Sequence, residues 1–238
     1  MPETLTIEHR FCGPPDSGNG GYVAGRLAAL IGGPAEVTLK LPTPLGRPLR
    51  LVRGDDNALA LLDGTALIAE ARPAEPSLDA PPPLDFAAAE RAAESGRWHI
   101  AARNLFATCF VCGPARPIGD GLRMVAGEAG DGVYAGTWVP EPDFAGAAGT
   151  VDPVYVWSAL DCPSAMALLA GKDSPLLLGR ITARVTRAPA VGESCVLMAW
   201  PLGLEQGRRS HAGSALYGDD GACLALAHAV WFRPRPGF

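Results

Sequence analysis

No window of the chain approaches the ~20 consecutive apolar residues that a membrane-spanning helix needs. The first residues, Met1-Pro-Glu-Thr-Leu-Thr-Ile-Glu-His9, lack the basic and apolar pattern of a secretory signal. A cytoplasmic location is therefore expected, and the six cysteines (Cys12, Cys109, Cys112, Cys162, Cys195, Cys223) are expected as thiols. No Lys/Arg cluster overrides the net charge of −5, which argues against a nucleic-acid partner. The Gly-x-Ser-x-Gly elbow of serine hydrolases is absent. Gly18-Asn-Gly-Gly21 falls short of a dinucleotide loop, because Val23 stands where the third glycine belongs and no alternating βα pattern surrounds it.

What is present is ordinary globular chemistry, 48% apolar and 19% charged residues over 238 positions, enough for one large domain or two that each bury a core. Twenty-nine glycines and 23 prolines suit short strands and many turns, and the Arg- and Ala-rich bias is that of a GC-rich bacterial genome. The organisation repeats although the letters do not. Asn19-Gly-Gly21 opens a helix whose apolar positions, Val23, Leu27, Leu30 and Ile31, share one face, and Gly32-Gly33-Pro34 stops it. Strands follow at Val37–Leu41 and Leu49–Val52, then a hairpin of Ala58–Leu62 and Thr65–Ala71 turning at Asp63-Gly64.

In the second half Val133–Val139 reads as a strand. A second helix begins at Asp152 and Pro153, is expected to kink at Pro163, and ends by Gly171. Strands are then expected over Leu177–Thr186, Ser194–Leu202, Arg209–Tyr217 and Ala222–Phe232, the last two joined at Asp219-Asp-Gly221. Between the halves, Pro73–Arg97 has the composition of a linker crossing a surface, with a short helical piece at Asp85–Glu94. The expected division is residues 1–72, a linker over 73–108, and residues 109–238.

The most informative stretch is Val151-Asp-Pro-Val-Tyr-Val-Trp-Ser-Ala-Leu-Asp-Cys162. Asp152 suits an N-cap and Pro153 a first helical position. Asp161 then falls deep in an apolar run, where a carboxylate is costly unless it is paired, hydrogen-bonded or used. The competing reading is an Asp that starts a new turn ahead of Pro163 and caps Ser164 or Ala165.

An apolar helix too buried for one sheet face, repeated beside its own meander, suggests a helix gripped by a curved sheet. On this point the chain resembles double-hotdog, thioesterase-like proteins. Asn19-Gly-Gly-Tyr-Val-Ala-Gly-Arg-Leu-Ala28 is similar to the Gly-Gly helix start of their N-terminal hotdog. Cys109-Phe-Val-Cys-Gly-Pro114 with Gly119-Asp-Gly-Leu122 resembles a segment that precedes the hotdog helix in related proteins. Val154–Leu169 resembles the helix of the C-terminal hotdog, and Gly207–Phe232 its final hairpin. The resemblance implies an α+β double hotdog, with two long helices each wrapped by a curved antiparallel sheet and the sheets joined edge to edge. It also implies a homodimer and hydrolysis of an acyl-CoA or related acyl thioester. The alternative is a non-catalytic module that binds acyl thioesters or lipid; a hydratase would call for an Asp-x-Asn-Pro-x-His-like segment, which is absent.

In the register of the smaller hotdog thioesterases, Asn19 takes the His position of the first half and Ala28 its Asp position. Asp152 and Asp161 take them in the second half, so Asp161 is the expected catalytic carboxylate. Asn19, Gly20, Gly21, Asp152, Tyr155 and Trp157 are expected around the substrate, with backbone N–H groups near Asp152–Tyr155 donating to the thioester carbonyl. Thr182, Ser210 and His228 are polar candidates for supporting roles.

Cys109-x-x-Cys112 suggests zinc, but a closed zinc site needs four ligands and no second Cys-x-x-Cys exists, leaving only Cys12 and His99 to complete it. The expectation is buried thiols in a Gly-Pro turn, no metal and no cofactor. Cys162, beside a carboxylate that raises a thiol pKa, is expected to be structural, as are His211 and His228 in strands. Arg208-Arg209 is expected at a solvated hairpin edge, within reach of a CoA phosphate.

Overall fold

Apolar alternation places nearly every strand within a few residues of its sequence expectation. A computed structural model describes residues 3–103, 106–146, 149–169 and 175–234, the side chains of 98–103 excepted. The first half runs β1 (Thr4–Thr6), α1 (Gly20–Ile31), β2 (Ala35–Leu39), β3 (Pro48–Arg53), β4 (Leu59–Asp63) and β5 (Ala66–Pro73). After α2 (Phe86–Arg103) come β6 (Gly127–Gly130), β7 (Val133–Trp138), α3 (Pro153–Ala159), α4 (Cys162–Leu169), β8 (Leu177–Val185), β9 (Cys195–Gln206), β10 (Arg209–Tyr217) and β11 (Cys223–Phe232). All eleven strands join one antiparallel sheet in the order β1-β3-β4-β5-β2-β8-β11-β10-β9-β7-β6. The seam between the halves is β2 on β8, Ala35 opposite Ala183 through Thr38 opposite Arg180. Among the described residues no helix is long and apolar enough to cross a membrane.

Helix α1 forms where its caps dictate. Asn19 Oδ1 accepts from Tyr22 N–H at its start, and Gly32, at a φ of 82° in the left-handed region, ends it by donating to Ala28 O. Val23 and Leu27 are fully buried, while Leu30 and Ile31 pack on the core from its rim. The expected second long helix is instead two short ones of 7 and 8 residues, broken at Leu160-Asp161. Pro163 is the cause, since it lacks the N–H that a continuous helix would need. The break lies ahead of Pro163 because proline fits the first turn of a new helix. Two hydroxyls take the carbonyls at the break: Ser214 Oγ donates to Leu160 O at 2.8 Å and Ser164 Oγ to Asp161 O at 2.7 Å. The expected stop at Gly171 lies outside the described residues.

The linker is more than a crossing. Helix α2 has 18 residues and buries Ala89 and Ala92 against Val196, Met198 and Leu226. Val196 and Met198 alternate with Leu197, which enters the main core, so α2 covers the opposite face of the sheet. The edge strands β1 and β6 were not expected, being too short at 3 and 4 residues to show a periodicity.

On the other face, α1 and α3 pack against each other antiparallel and close. A Cβ at Gly25 would lie 2.9 Å from Val154 Cα, and one at Gly21 would lie 2.8 Å from Trp157 O. Both contacts are with backbone, so neither can yield by a side chain turning aside. Gly25→Ala is therefore expected to destabilise the protein by about 1–3 kcal/mol, the usual scale of overpacking. Alanine's higher helix propensity, about 1 kcal/mol, offsets only part of this. Urea denaturation of the variant beside the parent checks it, and an unchanged midpoint would show that the helices can part freely.

Candidate active site

The close approach of α1 and α3 sets the N-terminus of α1 on the helix break that carries Asp161. The carboxylate is 2% exposed. Its Oδ2 accepts from Gly21 N–H at 3.0 Å and from Asn19 Nδ2 at 2.8 Å, both from the other half of the chain. Oδ1 is fully buried and has no hydrogen-bond partner. The side chain thus reaches across to α1 rather than capping its own helix, whose first turn closes by Ser164 N–H donating to Asp161 O at 3.0 Å. Gly21 is required here, because a Cβ would stand 2.5 Å from Asp161 Cβ.

Burial pushes the Asp161 carboxyl up to about 7 from an ordinary 3.8. The Gly21 N–H opposes that rise, the Cys109 sulfur adds to it, and the Asn19 amide opposes it again. Asn19 holds both elements together. Its Oδ1 accepts Tyr22 N–H at 2.9 Å, which turns Nδ2 toward Asp161 and to within 3.8 Å of Cys109 Sγ and 3.9 Å of Cys162 Sγ.

Of the residues expected around a substrate, the structure brings Asn19 and Gly21 to Asp161. Gly20 lies between them at the start of α1, packed so that a Cβ would meet Leu178 at 2.8 Å. Asp152 and Tyr155 lie at the opposite end of α3, alongside Gly25 rather than Gly21. Asp152 caps its own helix, accepting Val154 N–H on Oδ1 and Tyr155 N–H on its carbonyl, so these amides are engaged within α3 instead of serving a thioester carbonyl. Tyr155 joins Phe11, Tyr22, Phe110 and Phe144 in an aromatic cluster, in which Phe11 and Tyr22 stack at 3.8 Å. Trp157 is a core side chain.

The supporting candidates are elsewhere as well. Thr182 alternates with the core residues Ile181 and Ala183, which turns it to the other face beside Glu36. His228 bonds His211 at 2.9 Å between ring nitrogens; burial lowers the pKa of both. Ser214, rather than Ser210, is the β10 hydroxyl that reaches the break.

A cavity of about 1030 Å³ opens beside α4, between it, α2 and the β6–β7 edge. Met166, Leu176, Tyr134 and Trp231 line its walls, and Cys112 and Cys162 also face it. Sequence reasoning missed this convergence: Cys109, Cys112 and Cys162 meet with their sulfurs all within 4.8 Å of one another. The third thiol is Cys162, and the signal for it was Asp-Cys-Pro at the carboxylate itself. Cys12 is engaged otherwise, donating to Thr108 O at 3.2 Å and accepting from Arg116 Nη2 at 3.3 Å. The side chain of His99 lies outside the described residues.

No family model and no curated protein sequence matches the chain. Its fold does match solved structures. One from Thermobifida fusca YX, provisionally assigned as a thioesterase II, aligns over 98% of this chain and 92% of its own at a TM-score of 0.62 and 14% identity. One from Novosphingobium aromaticivorans, provisionally assigned as a thioesterase, aligns over 98% and 95% at a TM-score of 0.61 and 14% identity. A thioesterase superfamily protein is spanned over 56% of its length, covering 47% of this chain at a TM-score of 0.42 and 18% identity. The two full-length matches show that the chain shares their fold.

Asn19→Asp tests the geometry without chemistry. Aspartate caps a helix as well as asparagine, but it sets an acceptor where Asp161 needs a donor. A loss of about 1–3 kcal/mol is expected, the cost of leaving a buried polar group unpaired. Equal stability in urea denaturation would show that the Asn19–Asp161 bond contributes nothing.

Proposed function

We propose that this protein hydrolyses an acyl-CoA or related acyl thioester, with Asp161 as the general base. The observation that carries the reading is the Asp161 carboxylate, held from the opposite half by Gly21 N–H and the Asn19 amide, with its second oxygen unpartnered. The next residue, Cys162, faces a cavity large enough for an acyl chain and its thioester. In this reading Asp161 takes a proton from water, and the water oxygen attacks the thioester carbonyl. The C–S bond then breaks, the proton passes to the leaving sulfur, and a carboxylic acid and a free thiol result. The whole-length likeness to structures provisionally assigned as thioesterases supports the same reading.

The fold is read as a double hotdog, β2 on β8 being the seam at which two curved sheets continue into one. Six unpaired cysteines suit the reducing cytoplasm. A double hotdog supplies internally what single ones obtain by pairing, and a further homodimer is expected through its faces or edges. Light scattering of the purified protein at micromolar concentration should give twice the chain mass; a monomer rejects the assembly.

The decisive experiment is turnover of an acyl-CoA series followed by free-thiol release. Asp161→Asn should keep the melting temperature and acyl-CoA binding while cutting turnover by about 10²–10⁴-fold, the scale of losing a general base. Asn keeps the shape but takes no proton from water. Turnover like the parent's would end the role of Asp161. Ligand binding by the parent with no thiol release across the series would instead favour a non-catalytic acyl-thioester module.

A further inference from the structure

Three thiols from stretches about half a hundred residues apart have no reason in sequence to meet, yet they share one buried corner beside α1. Cys109 and Cys112 belong to the loop between α2 and β6, and Cys162 opens α4. Cys109 Sγ and Cys162 Sγ are 3.7 Å apart. That is far longer than the ~2.05 Å of a disulfide. It matches the roughly 3.8 Å between two sulfurs placed tetrahedrally about a zinc ion at about 2.3 Å.

The loop is built to present its sulfurs together. Gly113 N–H donates to Cys109 O at 2.8 Å and closes a tight turn. Only glycine fits there, since a Cβ would lie 2.5 Å from Cys109 O. Flanking bonds fix the turn to the body of the protein: Phe110 N–H donates to Cys12 O, Leu122 N–H to Phe110 O and Met124 N–H to Val111 O. Buried Arg116 binds Thr108 O at 2.7 Å and Asp120 Oδ2 at 2.8 Å, bracing the same loop.

The surroundings of Cys109 favour its anionic form. Hydrogen bonds from Cys112 and Cys162 hold the Cys109 thiol well below its usual range against burial, with backbone N–H groups of Cys112 and Val111 adding to them. The other two thiols are raised in answer, Cys109 first among the causes for each. A divalent cation that binds thiols displaces their protons. Among the described residues no lysine or arginine hydrogen-bonds to these three sulfurs. Meanwhile Asp161 Oδ2 sits 4.0 Å from Cys162 Sγ.

We propose that Cys109, Cys112 and Cys162 form a binding site for one Zn²⁺ ion, held by three thiolates with its fourth position turned to the cavity. Soft thiolate ligands select zinc over magnesium or calcium. Cys112 and Cys162 both line the cavity, so an ion among the three sulfurs faces it on the remaining side. Three protein ligands with one open position is the pattern of zinc sites that admit water or substrate. The site stands whether or not Asp161 turns over a thioester.

The test uses the full chain, expressed in zinc-supplemented medium and purified under reducing conditions without chelator. Elemental analysis should find about one zinc per chain. Exchange with Co²⁺ should give tetrahedral visible bands and a near-ultraviolet thiolate-to-cobalt band of an intensity set by three sulfurs. Cys112→Ser and Cys162→Ser should each lose the metal, whereas Cys223→Ser should keep it. Should either serine variant fail to fold, the cobalt spectrum of the unmodified chain still decides. A parent that takes up neither zinc nor cobalt overturns the site, and so does a Cys109–Cys162 disulfide in the protein as isolated. Asp161→Asn separates this inference from the hydrolase reading, because it should keep the zinc whatever its turnover. Loss of zinc in that variant would make the carboxylate the fourth ligand and overturn the open position.

Discussion

The molecule depends on one close approach, that of α1 to α3, which glycine alone permits. Gly21 and Gly25 present a face without side chains, and α3 lies on it with backbone against backbone. Because the helices run antiparallel, this contact carries the N-terminus of α1 to the end of α3, where Pro163 has broken the helix and Asp161 is turned out of its helical path. The two hydrogen bonds from Gly21 and Asn19 follow from that placement. Each bond to a charged group contributes about 1.5–3 kcal/mol. Burying the carboxylate costs several kcal/mol. Burial wins: the two bonds offset only part of it, and the carboxyl stays raised, at about 7.

Much of this could be read from the residues in order. Asn19 and Asp152 are the caps their positions announce, and both Asp-Gly hairpins turn at glycines with positive φ, 60° at Gly64 and 75° at Gly221. The alternation of β8, β10 and β11 is long enough to be unambiguous, and the depth of Asp161 follows from its apolar neighbours. The misreadings have a common source. Spacing along one chain says which face of an element is apolar but not what lies against it. The linker therefore read as surface, although Ala89 and Ala92 are among its buried residues. Nor does spacing show that Tyr155 packs among aromatic rings and Trp157 in the core. Counting cysteines along the chain likewise missed that a third sulfur, from beside Asp161, joins Cys109 and Cys112.

The two halves are unequal at equivalent helix positions. Asp161 stands nine residues after Asp152, and Ala28 nine after Asn19. The start of α1 thus meets a carboxylate from the other half, whereas the start of α3 has only Ala28 at the equivalent place. Along the helix pair, Phe11, Tyr22, Phe110, Phe144 and Tyr155 pack ring on ring, from the first turn of α1 to the start of α3. Large aromatic rings fill space that no polar group requires.

Asn19 ties that chemistry to the thiols. Its amide nitrogen carries two protons. Oδ2 of Asp161 takes one at 2.8 Å, and the sulfurs of Cys109 and Cys162 stand 3.8 and 3.9 Å away on the same atom. With Oδ1 fixed by Tyr22 N–H, the amide cannot rotate to favour one neighbour without giving up the cap of α1. Negative charge on the sulfurs therefore acts on the carboxylate at short range, as the contribution of Cys109 to raising Asp161 already shows. A cation among the sulfurs would act with the opposite sign, drawing the carboxylate toward its charged form. Carboxylate and thiols are one electrostatic unit, and the asparagine that begins the first helix is the group that couples them.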